Sequence, residues 1–178
     1  MALPASALRA SRSSASDLGG LIVGALMDLI AGDQREILLA IAVDDWSGLD
    51  DRRRFDAHLS LGGGLDPTWL DLFAEAIRSV TRSRDPGDFL DARTDVPEAA
   101  NYADRTIERI DRAWVEAVAK LSDHDLDAVA GRWIDLVEED LGDLPREEKP
   151  WIRQLAGEIV GFARRAAGSP AVIFAWAL

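Results

Sequence analysis

Apolar positions along this chain recur mostly at the three- and four-residue spacing that lines one face of a helix. Trp69, Leu70, Phe73, Ile77 and Val80 form such a stripe; with Asp66 as N-cap and Pro67 at the first helical position they predict a helix to about Arg82. Tyr102, Ile107, Ile110, Trp114, Val118 and Leu121 predict a long helix from Pro97 to Leu121, whose solvent face carries the ladder Glu108, Arg112, Glu116 and Lys120. Ser122 then caps a helix with the stripe Leu126, Val129, Trp133, Leu136 and Val137, ended by Gly142. After the connector Pro145 to Pro150, Trp151, Leu155, Ile159, Phe162 and Ala166 mark a last helix that Gly168 and Pro170 stop.

The N-terminal half is less uniform. Residues 1–16 are rich in Ala, Ser and Pro without periodicity and read as a disordered leader, leaving 17–178 as one domain. Ser16 or Asp17 can cap a first helix running to Ala31 and closed by Gly32, and Asp33 a second through about Val43. Between Trp46 and Leu61 two patterns compete. Phe55 to Leu61 alternates apolar and polar as a strand does, while Ser47 can cap a helix ending at Gly62, and the helix is the favoured reading. Ser83 to Val96 reads as a loop with a short turn around Phe89. The terminal run Ala171 to Leu178 is too apolar for a free tail and is expected to dock as an extended segment, pairing with Phe55 to Leu61 if that stretch is a strand. The expected fold is therefore mostly all-α: a single-domain bundle of six or seven helices with a docked C-terminal segment and at most a minor two-strand pairing.

Composition narrows the function classes. The chain has 178 residues, with 32 Asp and Glu against 20 Lys and Arg, a formal charge of −12. Nucleic acid is a poor partner, because the one basic run, Arg52 to Arg54, is flanked by Asp50, Asp51 and Asp56. The apolar run Leu18 to Ala31 contains Asp28 and is shorter than the about 20 residues a spanning helix needs, so no membrane span is expected and a cytoplasmic location is favoured. With no cysteine and two histidines, disulfides, thiolate chemistry and a three-histidine zinc site within one chain are excluded, and no motif implies a cofactor. Gly20 and Gly24 form a small-xxx-small pair that packs within the monomer or supports a homodimer.

Candidate chemistry centres on carboxylates. Asp44, Asp45, Asp50 and Asp51 make two doublets that resemble an aspartate-rich magnesium motif for diphosphates, although an acidic solvated loop is the simpler reading. Glu138, Glu139, Asp140 and Asp143 lie at the end of a predicted helix. There, like Asp44 and Asp45, they oppose the negative end of its dipole at about 0.3–1 kcal/mol each. Something cationic should offset both clusters: Arg146, Lys149, Arg153 or Arg52 to Arg54 from within, or a basic partner from outside. Trp46 beside the first cluster has the look of a binding hot spot. Gly62 to Gly64 lacks the Lys and Ser or Thr of a phosphate loop, and His58 reads as structural or as a general base. His124 and Asp125 resemble the central pair of His-Asp phosphohydrolases but lack that family's further residues, and Asp123, Asp125 and Asp127 lack the later positions of a calcium loop. The expected function is a non-enzymatic interaction protein of inhibitor, immunity or adaptor type. It would present Asp44, Asp45, Trp46, Asp50, Asp51, Glu138, Glu139, Asp140 and Asp143 to a basic protein surface. The alternative is a divalent-metal-dependent phosphohydrolase using Asp44, Asp45 and Asp50 with Glu139 or His58.

Overall fold

A computed structural model describes residues 26–62, 65–82, 85–99 and 105–177. It corrects the all-α expectation. The described residues form a five-stranded, wholly antiparallel sheet together with five helices, a mixed α/β fold. The strands are β1 (Leu26–Gly32), β2 (Phe55–Ser60), β3 (Arg93–Asp95), β4 (Thr106–Ile110) and β5 (Ala171–Ala177), in the spatial order β2-β1-β5-β4-β3. The helices are α1 (Gln34–Ala42), α2 (Thr68–Thr81), α3 (Arg112–Ala119), α4 (Asp123–Leu141) and α5 (Lys149–Ala166), with 3₁₀ turns at Ser47–Asp50 and Pro97–Ala99.

Both faces of the sheet are covered, and that explains where the helical reading failed. One face offers Met27, Leu29, Ala31, Ala57, Val172 and Phe174 to the buried stripes of α2 to α5. The other offers Ile30, Phe55, Ile107, Ile173 and Ala175 to α1, to Leu49 of the first 3₁₀ turn and to Val96 and Ala99. A strand buried on both sides needs apolar residues at odd and even positions alike, so its sequence loses the alternation that marks a half-buried strand. β1 is such a strand. The continuous run Met27-Asp28-Leu29-Ile30-Ala31 therefore passes for the second half of a helix; the first half of that predicted helix, with Gly20 and Gly24, lies outside the described residues, as does the leader.

The same ambiguity dissolves the long helix predicted over Pro97 to Leu121. Ile107 and Ile110, three apart, would share a helical face; in β4 they point to opposite faces and enter the two different core layers. The helix begins only at Asp111, whose side chain accepts from the Ala113 N–H at 2.8 Å and serves as N-cap of α3. Glu108 belongs to the strand, while Arg112 and Glu116 keep their helical pairing at 2.7 Å. Trp46 to Leu61, favoured as helix, is a 3₁₀ turn followed by β2. The predicted loop Ser83 to Val96 contains the short edge strand β3. The apolar C-terminus is extended, as expected, but as a central strand: β5 pairs with β1 and β4, and β1 separates it from β2.

Helices with clear end signals agree with the sequence reading. Asp33 caps α1 by accepting from the Arg35 and Glu36 N–H groups, Ser122 caps α4, and Gly142 closes α4 at φ 92°. Asp66 holds the start of α2 by accepting from the Thr68 N–H at 2.8 Å. Trp69, Trp114 and Trp133 are buried as their stripes predict, and the Trp133 indole donates to the Trp69 carbonyl at 2.8 Å. Trp151 differs: α5 turns Ile152, Leu155, Ala156 and Ile159 inward and leaves Trp151 at 39% exposure.

Candidate functional site

The first acidic cluster lies between α1 and β2, on the outer side of the sheet's second face. Asp44 is exposed and adopts a left-handed backbone, φ 55°, and its carboxylate accepts from the Trp46 indole N–H at 3.2 Å. Asp45 accepts from the Gly48 N–H at 3.1 Å and from Arg54 Nη1 at 2.8 Å. Asp51 is exposed and accepts from the Arg53 N–H. Trp46 is half-buried rather than bare: it packs against the second core layer, and the Arg105 guanidinium lies 3.9 Å from its ring centroid.

Asp50 belongs to a different arrangement, which the sequence did not reveal. Its Oδ1 lies 2.9 Å from His58 Nδ1, and His58 Nε2 lies 2.9 Å from Asp28 Oδ1. Asp28, on central strand β1, is the buried charged residue of the described core. Both ring nitrogens thus face carboxylates, and both can donate only from the imidazolium. Burial lowers the His58 pKa, but hydrogen bonds and charge from Asp28 and Asp50 outweigh it, and the net shift is upward from 6.5. A charged His58 neutralises Asp28 and braces the 3₁₀ turn against the sheet. With both nitrogens engaged it has no free lone pair to act as a general base. A carboxylate inside an apolar run is a signal that some partner must exist, but it does not identify one 30 residues away.

The second cluster sits at the end of α4, and its charges are largely met from within. Glu138 takes Lys149 Nζ at 2.6 Å and the Leu144 N–H at 3.1 Å, and the Lys149 bond followed by the backbone bond holds its carboxyl below the usual range. Glu139 pairs with Arg132 at 2.8 Å. Lys149 and Arg54 were both named as internal candidates from sequence, and the two folded-back cations remove much of the dipole penalty that pointed to an outside partner. Asp140 and Asp143 are exposed and carry no ion pair among the described residues.

The two clusters do not converge. The first belongs to the α1 layer on one side of the sheet, and α4 to the four-helix layer on the other. Glu139 is therefore remote from Asp44, Asp45 and Asp50, and no group of three His, Asp or Glu side chains able to hold a metal exists among the described residues. Among those residues, too, no helix is long and apolar enough to cross a membrane.

One surface feature escaped the sequence reading. α1 buries Ile37, Leu38, Ala40 and Ile41 on the sheet and leaves Leu39 55% exposed, and its C-cap Val43, 64% exposed, runs directly into Asp44. Beside Leu38 and Leu39 lies an open groove of about 640 Å³ whose charged lining is Asp33, Arg35, Glu36 and Glu98. Isolated exposed apolar residues are ordinary; two on successive turns of one helix, beside an acidic groove, form a patch.

No family model, no curated protein and no solved structure matches this chain.

Proposed function

We propose that the protein is a non-enzymatic interaction protein, of inhibitor, immunity or adaptor kind, that receives a basic, amphipathic segment of a protein partner on its α1 face. The observation that carries this reading is the juxtaposition of exposed Leu39 and Val43 with Asp44 on one side and, on the other, a groove whose Asp33, Glu36 and Glu98 outnumber its one cation, Arg35. Apolar contacts supply affinity by excluding water, and the carboxylate rim selects and steers a cationic segment. The overall charge of −12 adds long-range attraction for such a partner and repels nucleic acid and anionic lipid. The α4 acids, in the layer on the sheet's other face, contribute to the field but not to this contact. With no cysteine to serve a disulfide framework, the cytoplasm is the proposed setting.

The test is retention of a partner from native extract on immobilised protein at rising ionic strength. The expected result is a partner that elutes as salt increases and is no longer retained by the double variant Leu39→Glu, Val43→Glu, while Asp140→Asn retains it. A partner indifferent to both salt and the α1 variant would overturn the reading.

A further inference from the structure

Where the ends of β4 and β5 meet the start of α3 and the end of α5 lies a cleft of about 420 Å³, within the range of small-molecule sites. It shares no residue with the α1 face. Its floor is apolar, formed by Ile110, Val115, Ala166 and Val172, and its polar lining includes Arg109, Arg112, Thr94 and Ser169.

Two guanidinium groups at one cleft stand out in so acidic a molecule, and neither is fully used. Arg109 donates through Nη2 to the Pro170 carbonyl at 3.2 Å and has no carboxylate partner among the described residues. Arg112 gives its Nε–H to Glu116 at 2.7 Å, which leaves its terminal N–H groups without a partner there. The one lining carboxylate, Asp111, is committed to capping α3 through the Ala113 N–H. Ser169 connects the cleft to a second cationic pair: its hydroxyl donates to Asp56 at 2.7 Å, and the Asp56 carbonyl accepts from Arg52. Arg52 in turn lies near Arg165, whose pKa is lowered by burial and by the Arg52 charge, and neither arginine has an ion pair among the described residues. The cleft lining holds two guanidinium groups against one carboxylate while the molecule as a whole is strongly negative, so an anion entering the cleft meets two cations with donors to spare.

We propose that this cleft binds a small organic phosphate monoester, with Arg109 and Arg112 gripping the phosphate and the Val115, Ala166 and Val172 floor receiving the organic group. Paired guanidinium N–H groups match phosphate oxygens two at a time, and two cations match the dianion. The Thr94 hydroxyl offers a further donor.

The experiment is calorimetric titration of the full chain with phenyl phosphate, with benzoate and chloride as comparison anions, all at constant ionic strength. Saturable binding of phenyl phosphate is expected. It should weaken at least tenfold in Arg109→Gln, Arg112→Gln, weaken measurably in Arg109→Lys, which keeps the charge but loses the fork, and be unchanged in Arg53→Gln. Arg112 is 72% exposed, so Arg112→Gln alone gives a folded variant if the double one is lost. No saturable binding, equal binding of benzoate, or undiminished affinity in Arg112→Gln would each overturn the proposal.

Discussion

His58 is held between Asp28 and Asp50 at 2.9 Å on each side, so its proton affinity is coupled to folding. Its folded pKa is raised above 6.5. The stabilisation it provides is therefore fully present below pH 6.5 and is lost as pH rises through the folded pKa. Unfolding measured across that window should show wild-type stability declining toward alkaline pH and His58→Gln losing this component; an identical pH slope in both would show that the brace is not coupled to folding. A half-buried ion pair makes a prediction of a different sort. Arg93 and Glu108 pair at 2.9 Å with side chains 8% and 14% exposed, Trp176 donates to the same Glu108 oxygen, and Arg93 lies over Phe89 and Phe174. Arg93→Met leaves the half-buried Glu108 with its cation gone, and denaturant unfolding should register a loss of about 1–3 kcal/mol. Replacing Arg93 and Glu108 together with apolar residues should recover much of that loss. At this scale the sequence shows which groups need partners, Asp28 above all. It cannot show which they find, because His58 reaches Asp28 only through the pairing of β1 with β2.

At the scale of elements, what could be read depended on where the local signal resides. Caps are local: Asp33, Ser122 and Gly142 each mark a helix end through contacts within a few residues and stand where the sequence placed them, while Asp66, predicted as the cap of α2, holds its start from one residue before the cap, Pro67. Strands buried on both faces carry no local signature, and β1 and β5 read as continuous apolar runs, while β4 sets Ile107 and Ile110 three apart and so fits a helical period. In β4 the missed clue was Asp111, a helix-opening residue inside what passed for a continuous helix. Asp111→Ala should destabilise the protein by about 1 kcal/mol in chemical denaturation, the ordinary cost of an N-cap; no change would mean that α3 is held by packing alone. β2 differs, since its sequence did carry the alternation, and the competing Ser47 signal was met by a 3₁₀ turn instead of a helix.

For the whole molecule, net charge was legible and its distribution was not. A total of −12 follows from composition, but whether acids gather on one face depends on which side of the sheet each element occupies. The structure divides the two acidic clusters between opposite layers, meets Asp45, Glu138 and Glu139 with the chain's own cations, and leaves a cationic cleft where β4 and β5 meet α3 and α5. In the proposed reading the acidity supplies a general field, and the apolar α1 patch the place at which a basic partner would be held. Hydrogen exchange on the protein with and without its salt-sensitive partner tests that claim most directly. Slowed amide exchange concentrated in residues 33–51 is the predicted footprint; protection confined to the end of α4, around residues 138–143, would contradict it.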